Sequence, residues 1–299
     1  MRALVAGATG FVGRRLVDAL LDDGHRVRCL VRDRARAEGL LRDGAEIHEG
    51  DALRPASLES AGAEVDVAYY LIHSMAGGGD FGEREQRAAR NFAGMARASG
   101  IGRVIYIGGL GDHPPSDHLR SRHETARILE REGPPLTYLR AAMIVGPESE
   151  SYRTLKYLVQ RLPVMIAPAW LQTPTQPVAI ADVIEYLRLA PSVPESVGRE
   201  IQIGGPDVLP YGEMLDVMAR VLGKRPRPKL KVPVLTPRLS SLWLGLFTPV
   251  DTTVARPLVE GLTTRTVVTD ESGARLFDVE PTPFERALRD AVDEEEACD

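Results

Sequence analysis

The sequence of 299 residues has few cysteines, few aromatic residues and no long apolar runs. Its two cysteines, Cys29 and Cys298, exclude a disulfide framework and a metal site built from cysteine. Three histidines, His113, His118 and His123, are spaced by five residues, which does not place them on one helical face, so no metal site is predicted. No apolar run reaches the roughly 18 residues of a membrane-spanning helix.

The balance of charge excludes a further class of partner. The 37 Lys and Arg are outnumbered by 42 Asp and Glu, whereas a nucleic-acid-binding protein shows a basic face. The first residues, MRALVAGATG, have one positive charge and a short apolar run before glycines, which predicts a first strand rather than a signal peptide. We therefore expect a cytoplasmic protein without nucleic-acid or membrane partners.

The first half of the chain alternates short apolar runs with longer helical patterns. The runs predict strands at Ala3–Ala6, Val27–Val31, Glu46–His48, Val67–Ile72, Val104–Ile107 and Leu136–Leu139. The patterns between them predict helices at Phe11–Asp22, Arg34–Leu41, Arg84–Ser99 and Arg122–Glu132. This alternation is typical of βαβ units, and strands that are apolar throughout are buried on both faces. We predict an α/β fold with a doubly wound parallel sheet, whose cofactor-binding region spans residues 1–150.

Residues 151–299 differ in composition, because prolines cluster there. Val178–Leu189 and Ile201–Ile203 are predicted to return to the sheet, so this half forms a smaller substrate-binding region rather than an independent domain. An apolar segment around Trp243, within residues 225–262, has two interpretations. It is either a lid over a substrate or a surface for a partner protein.

A glycine-rich turn joins the first predicted strand to the first helix, and it reads Gly7-Ala8-Thr9-Gly10-Phe11-Val12-Gly13. Glycines allow the sharp turn, the close approach of backbone to a pyrophosphate and the packing of helix on strand, and the helix N-terminus attracts phosphate. A plain tight turn is the alternative. The position between a strand and a helix favours a dinucleotide site, with cofactor contacts from Gly7, Thr9, Gly10, Phe11, Val12 and Gly13.

The end of the second predicted strand distinguishes NADP from NAD. An NADP site places arginine there for the 2′-phosphate, and an NAD site places a carboxylate for the ribose hydroxyls. Arg32 and Arg34 are the predicted phosphate ligands, and Asp33 is the rival for NAD. A solvated helix start is the third interpretation. The local positive charge in an acidic chain favours NADPH or NADP as the cofactor.

The end of the third predicted strand has a carboxylate in Gly50-Asp51-Ala52-Leu53. We predict that Asp51 and Ala52 contact the adenine side of the cofactor. The equal alternative is a cap for the turn that enters Arg54-Pro55.

Further segments extend a resemblance over nearly the whole chain. They are Tyr69–Met75, Tyr106–Gly111, Leu119–Glu124, Leu139–Ala142, Leu162–Met165, Ile203–Asp207 and Thr236–Ser241. With the glycine loop, they resemble the atypical branch of the short-chain dehydrogenase/reductase superfamily. Within it, the sequence is similar to the NAD(P)H-binding group of the NmrA-like proteins and the nucleotide-binding accessory subunit of complex I. The resemblance implies a Rossmann-type sheet with substrate held against C-terminal elements. Reductases, assembly factors and cofactor-sensing regulators all belong to this group.

The catalytic Ser-Tyr-Lys triad of that superfamily is absent. Gly108, Gly109 and Leu110 stand where the serine is expected, and the resemblance puts His118 at the tyrosine position and Arg122 at the lysine position. A general acid contributes about 10²–10⁴-fold to a rate. Positioning of the reactants contributes about 7–11 kcal/mol. Loss of the triad therefore weakens the enzyme hypothesis without excluding it.

Other residues are candidates for the missing roles. His118 is the positional candidate for the proton donor, although a surface histidine is the alternative. His73 and Ser74, at the end of the fourth strand, are predicted to lie beside the cofactor ribose and are further catalytic candidates, although a strand-ending hydrogen bond would also explain them. Arg122 is predicted to hold the nicotinamide ribose as the lysine would, and Ala141 is a further predicted cofactor contact.

The leading hypothesis is an NADPH-dependent ketoreductase of atypical mechanism. Similarity to ketoreductases of aromatic polyketide (angucyclinone) pathways implies an apolar, polycyclic aromatic substrate and a role in antibiotic biosynthesis. Water, His118 or a hydroxyl of the substrate would protonate the alkoxide. The first alternative is a non-catalytic NADPH-binding regulator or assembly factor, and the second is a dehydratase or epimerase. The oligomeric state is left open.

Overall fold

The large parallel sheet organises the computed structural model, which describes residues 1–73, 81–111, 117–162, 165–167, 169–231 and 264–298. Its strands are β1 (Arg2–Ala6), β2 (Arg26–Val31), β3 (Glu46–Glu49), β4 (Val67–Tyr70), β5 (Arg103–Gly109), β6 (Leu136–Ala141) and β11 (Arg199–Ile203). They lie in the order β11-β6-β5-β4-β1-β2-β3, and every neighbouring pair is parallel. The order reverses direction at β1, which is the doubly wound arrangement of a Rossmann-type fold. The predicted fold class is confirmed.

The helices that connect these strands cover both faces of the sheet. They are α1 (Phe11–Asp22), α2 (Arg34–Glu38), α3 (Phe81–Ala98), α4 (Asp117–Glu132), α5 (Glu150–Arg161), α6 (Ile180–Leu189), α7 (Tyr211–Val221) and α8 (Phe284–Cys298). α1 and α6 pack together on one face, and α3 and α4 pack together on the other. Each face has its own apolar core, because the strands between them are buried almost throughout.

An aromatic row lies between the sheet and the α3–α4 layer. The ring centroids of Tyr70 and Phe92 are 5.0 Å apart, and those of Tyr70 and Tyr106 are 6.0 Å apart. Tyr106 stacks on Tyr138 at 5.3 Å.

On the opposite face of the sheet, burial and the nearby charge of Asp18 raise the pKa of the Cys29 thiol to about 12.

The second half returns to the large sheet through one strand. β11 pairs with β6, so Ile201–Ile203 lies in the sheet. Val178–Leu189 adds no strand to it: β10 (Val178–Ala179) pairs with β7 (Ile144–Val145) in a separate two-stranded sheet, and the rest is α6. The apolar residues of α6 have the spacing of a helix, and α6 packs against α1.

The remaining described elements form a third core beside the sheet. α5, α7 and α8 pack around it, and α8 is fixed by Glu295, which accepts hydrogen bonds from the Tyr152 hydroxyl at 2.8 Å and the Lys156 ammonium at 2.6 Å. Two further strand pairs lie here: β8 (Met165–Ala167) with β13 (Lys229–Lys231), and β9 (Pro174–Thr175) with β12 (Leu209–Pro210). Most of the predicted lid, with Trp243, lies outside the described residues.

The described residues contain neither a helix suited to a membrane nor a cluster of metal ligands. None of their helices is both long enough and apolar enough to cross a bilayer. Within the same residues, no three His, Cys, Asp or Glu side chains are grouped as a metal ion would require.

Candidate functional site

The glycine loop lies at the carboxyl end of β1, against the end of β4. Gly7 has a φ of +92°, and a Cβ atom there would lie 2.7 Å from the carbonyl oxygen of Leu71. A Cβ atom at Gly13 would lie 2.1 Å from the carbonyl oxygen of Gly7. The amide of Gly10 donates to that same carbonyl at 3.0 Å. These contacts require glycine at both ends of the loop, and they leave a backbone cradle that fits the pyrophosphate of a dinucleotide.

Helix α1 begins directly above this cradle. Gly10 is its N-cap and brings no side-chain oxygen to the first-turn amides, so those amides remain available to an anion. The Phe11 ring lies under the Arg15 guanidinium at 4.7 Å, and Val12 packs against the core of the α1–α6 face. The side chains of these two predicted residues are thus engaged within the protein, so that only their backbone is placed to meet a cofactor.

A cleft of about 260 Å³ opens from the loop along the carboxyl edge of the sheet. It is lined by Gly7, Thr9, Gly10, Leu30, Val31, Arg32, Gly50, Asp51, Ala52, Leu53, Leu71, Ile72, His73, Arg84, Glu85 and Ala88. The structure thus brings seven predicted site residues to one cleft: Gly7, Thr9, Gly10, Arg32, Asp51, Ala52 and His73. Ligands of open parallel sheets bind at this edge, next to the switch in strand order.

The charged residues after β2 have separate roles. Arg32 is exposed, lines the cleft, and forms no ion pair or hydrogen bond within the described part of the chain. Asp33 is the N-cap of α2, and its carboxylate accepts the amide of Arg36 at 3.1 Å. Arg34 donates to the carbonyl of Ile47 at 2.8 Å and lies 3.7 Å from Glu38. Arg32 is therefore the residue of this group that the cleft presents to a ligand.

Asp51 closes a turn and also lines the cleft. One carboxylate oxygen accepts the amide of Leu53 at 2.9 Å, which closes the turn, and the residue also lines the cleft. The carbonyl of Ala52 accepts the side-chain amide of Asn91 on α3 at 2.8 Å. This bond attaches the Asp51–Ala52 end of the cleft to α3.

His73 lies near Glu85, which in turn is hydrogen-bonded to Ser121, and neither of these two residues was predicted for the site. Glu85 lines the same cleft, and its Oε1 lies 3.8 Å from His73 Nδ1. The hydroxyl of buried Ser121 donates to Oε2 of Glu85. Although 26% of the His73 side chain is exposed, close packing around the imidazole and the positive charge of Arg122 lower its pKa well below the ordinary value. A glutamate four positions into α3 carries no motif, so sequence alone had no signal for it.

Arg122 is half-buried on α4 and faces this region. Its Nε is buried and has no hydrogen-bond partner in the described residues, while its backbone carbonyl accepts the Tyr106 hydroxyl at 3.2 Å. A buried guanidinium nitrogen without a partner is costly, and an oxygen atom of a ligand would satisfy it. The hydroxyls of a ribose fit that requirement.

Neighbouring side chains fill the space in which the side chain of the superfamily's serine would lie. A Cβ atom at Gly108 would lie 2.7 Å from the Tyr138 hydroxyl, and one at Gly109 would lie 3.0 Å from the Leu119 side chain. Arg140 holds this strand end by donating to the carbonyls of Gly109 at 3.3 Å and Gly111 at 2.9 Å. A serine at Gly108 has no room without movement of Tyr138.

Three predicted residues remain. Ala141 is buried at the end of β6, and its carbonyl accepts the amide of Leu110 at 2.8 Å, so it supports the sheet beside the cleft. The backbone of His118 lies in the first turn of α4, and its side chain is outside the described residues. Ser74 is also outside them.

The close contact at Gly13 gives a first prediction. Gly13→Ala should lower the free energy of unfolding by about 1–3 kcal/mol, because the new Cβ meets backbone that has to move. It should also weaken NADPH binding by roughly tenfold, which corresponds to about 1.4 kcal/mol of distortion in the loop. Urea unfolding and a fluorescence titration with NADPH measure the two effects.

The matched control is Gly94→Ala in α3. A Cβ there meets nothing within 4 Å, so the substitution should stabilise the protein by about 0.5–1 kcal/mol and leave binding unchanged. Equal binding by the wild type and the Gly13 variant would contradict the assignment of the loop.

Comparisons with known proteins agree with this geometry. Residues 7–160 match the NAD(P)H-binding family. Ceramide reductase from Caulobacter vibrioides is 33% identical over 166 residues, which are 54% of this chain and 52% of that protein. The mitochondrial NADH dehydrogenase (ubiquinone) 1 alpha subcomplex subunit 9 from Arabidopsis thaliana is 28% identical over 244 residues, which are 78% of this chain and 61% of that protein. The chain thus spans between half and two thirds of the length of these relatives.

A solved structure has the same fold over nearly its full length. The NADPH-dependent quinone oxidoreductase from Escherichia coli, in complex with NADPH, superposes with a TM-score of 0.77 at 20% identity. The match covers 96% of this chain and 98% of that one. The family match spans more than half of the chain and includes the glycine loop and the cleft. The chain belongs to the NAD(P)H-binding family, in the atypical short-chain dehydrogenase/reductase and NmrA-like group that its sequence resembles.

Proposed function

We propose that this protein is an NADPH-dependent reductase that acts on a ketone of an apolar substrate. The observation that carries the proposal is the division of charge after β2. Arg32 is exposed in the cleft and has no ion pair among the residues that the structure describes, while the rival Asp33 caps α2. An arginine presented at this strand end favours a 2′-phosphate, and NADPH is the cofactor of reductive reactions.

In this proposal, each group of residues in and beside the cleft binds one part of the cofactor. The amides of the glycine loop and of the first turn of α1 hold the pyrophosphate, and Arg32 binds the 2′-phosphate. The free oxygen of Asp51 faces the adenine side, and the buried Nε of Arg122 binds a ribose hydroxyl. When bound, NADPH supplies a hydride from nicotinamide C4. Holding that carbon against a carbonyl is worth about 7–11 kcal/mol, which compensates for the missing acid.

The proton for the new hydroxyl group comes from outside the family's triad. His73 is uncharged at neutral pH because its pKa is lowered, so it has no readily released proton. Water, a hydroxyl of the substrate and His118 remain the three donors of the proposal. Replacement of His118 by alanine with undiminished turnover would remove His118 from that set.

The apolar substrate is the finer part of the proposal. The Caulobacter relative is named as a reductase of ceramide, which is an apolar lipid, and this supports an apolar acceptor. A polycyclic aromatic ketone of polyketide type has the same apolar character and carries neighbouring hydroxyls that can donate the proton. Both classes belong in a test of substrates.

Isotope transfer tests the reaction directly. The full chain is incubated with NADPH deuterated at C4 and with two panels, aromatic polyketide ketones and long-chain keto lipids. We expect deuterium at the carbinol carbon of at least one product, detected by mass spectrometry. Tight NADPH binding without label transfer from either panel would overturn the reductase proposal.

That outcome would favour the second candidate, a non-catalytic NAD(P)H-binding regulator or assembly factor. The specific observation is the filled serine position, because Tyr138 occupies the space of a side chain at Gly108. The Arabidopsis relative is named as a subunit of a respiratory complex, which supports the same alternative. Retention of bound NADPH together with co-purification of a defined partner complex would distinguish it.

A further inference from the structure

The cleft has a second exposed arginine, Arg84, on the wall that α3 forms. Arg84 lines the cleft, and its side chain makes no ion pair or hydrogen bond with any residue that the structure describes. It lies at the end of the first turn of α3, near the positive end of the helix dipole, which repels a cation rather than stabilising it. The contacts of the described chain therefore give no reason for an arginine at this position.

One face of α3 is turned toward the cleft. Arg84 and Ala88 both line the cleft, and the side-chain amide of Asn91 donates to the carbonyl of Ala52, which also lines it. The three helical residues are spaced by four and then three positions, so they lie on one side of the helix. The Asn91 bond fixes this side of α3, and Arg84 lies about two turns nearer the N-terminus, roughly 10 Å along the helix axis.

Arg84 and Arg32 approach the cleft from opposite sides of the glycine loop. The loop follows β1, Arg32 follows β2, and β4 lies on the other side of β1. The start of α3 lies by the end of β4, because Oε1 of Glu85 is 3.8 Å from Nδ1 of His73. Neighbouring strands are about 4.8 Å apart, so the ends of β2 and β4 are roughly 10 Å apart with the loop between them. Arg84 is thus on the side of the loop away from the strand end that favours a 2′-phosphate.

The glycine loop compensates only part of the charge of a pyrophosphate. Its amides and the first turn of α1 supply a positive charge of about half an elementary charge, whereas a pyrophosphate has a negative charge on each phosphate. The loop residues Gly7–Gly13 include no cation. Among the described residues that line the cleft, the permanent positive charges are those of Arg32 and Arg84. Because the proposed function assigns Arg32 to the 2′-phosphate, Arg84 is left for the pyrophosphate.

We propose that Arg84 binds the pyrophosphate of the cofactor from the side opposite the glycine loop. The loop amides face the anion from one wall of the cleft, and the guanidinium faces it from the other with charge-assisted hydrogen bonds. The inference rests on the cofactor site of the proposed function and is independent of the substrate. Since NADPH and NADH share the pyrophosphate, Arg84 contributes to the affinity for both, whereas Arg32 distinguishes between them.

The test is Arg84→Gln in the full-length protein, titrated with NADPH and with NADH by fluorescence. We expect roughly tenfold weaker binding of both cofactors, which corresponds to about 1.4 kcal/mol. Arg84→Lys keeps the charge and should bind both cofactors within about threefold of the wild type, since a lysine also binds phosphate. Both variants should unfold at the same urea concentration as the wild type, because Arg84 has no partner to lose among the described residues.

Arg87→Gln is the matched control, since Arg87 is exposed on the same helix and is not among the described residues that line the cleft. It makes the same change in net charge and should alter either affinity by less than about threefold. A loss confined to NADPH in the Arg84→Gln variant would overturn the inference, because it would put Arg84 at the 2′-phosphate. Unchanged affinities, or equal losses in the Arg84 and Arg87 variants, would overturn the inference alone. Wild-type protein that binds neither cofactor would overturn the proposed function, and the inference with it.

Discussion

Arg32→Glu should weaken NADPH binding by about 100-fold while changing NADH binding by less than about threefold, as expected for a loss of roughly 2.7 kcal/mol at the 2′-phosphate alone. The guanidinium is exposed in the cleft without a partner in the described residues, so its charge is available to a phosphate. Charge-assisted hydrogen bonds contribute about 1.5–3 kcal/mol each. The glutamate adds repulsion between two anions, and NADH has no phosphate to repel. Fluorescence titrations with the two cofactors measure the ratio.

Arg36→Glu is the matched control for this prediction. Arg36 is exposed on α2 and does not line the cleft, so its replacement makes the same change in net charge at a distance from the ligand. It should change NADPH affinity by less than about threefold, since an exposed charge that does not line the cleft forms no direct bond with the phosphate and is screened by water and salt. Equal losses for NADPH and NADH in the Arg32 variant would refute NADPH as the preferred cofactor.

The sheet was predictable because its strands have a simple pattern. Strands buried on both faces read as continuous apolar runs, and α1 was located at Phe11–Asp22, as the structure has it. The ends of β5 and β6 were missed, because pairing between Gly109 and Ala141 extends both strands beyond their apolar runs. The sequence of one strand does not show how far hydrogen bonding to the neighbouring strand extends it.

The glycine loop could be predicted from the sequence because the spacing of its glycines follows from backbone contacts. Gly13 is required by backbone contacts within the loop, so that part of the motif is local, and Gly7 is required by its positive φ as well as by the backbone of Leu71 after β4. The cluster of His73, Glu85 and Ser121 joins residues that are far apart in sequence. Their relation depends on how α3 and α4 pack over the end of β4, which no local pattern encodes.

The Arg28 side chain links the opposite end of the sheet to a loop. It is buried on β2 and donates to Glu46 at 2.7 Å and to the carbonyls of Ser60, Ala61 and Ala63 at 3.1, 2.9 and 3.0 Å. Ser60 has a φ of +59°, a left-handed conformation that turns its carbonyl out of any regular ladder. One guanidinium therefore satisfies the buried carbonyl of Ala61 and adds a donor to the partly buried carbonyls of Ser60 and Ala63, of which the first also accepts the amide of Ala63.

Arg28→Met should lower the free energy of unfolding by about 1–3 kcal/mol, because it keeps the apolar volume but leaves the buried carbonyl of Ala61 without its donor. The NADPH affinity of the folded fraction should stay within about threefold, since no residue of the Arg28 cluster lines the cleft. Urea unfolding followed by circular dichroism measures the first effect, and titration at low temperature measures the second. Arg26→Met, two residues earlier on the same strand and exposed, should cost less than about 0.5 kcal/mol. Equal stability losses at the two positions would show that the carbonyl contacts of Arg28 contribute nothing beyond its charge.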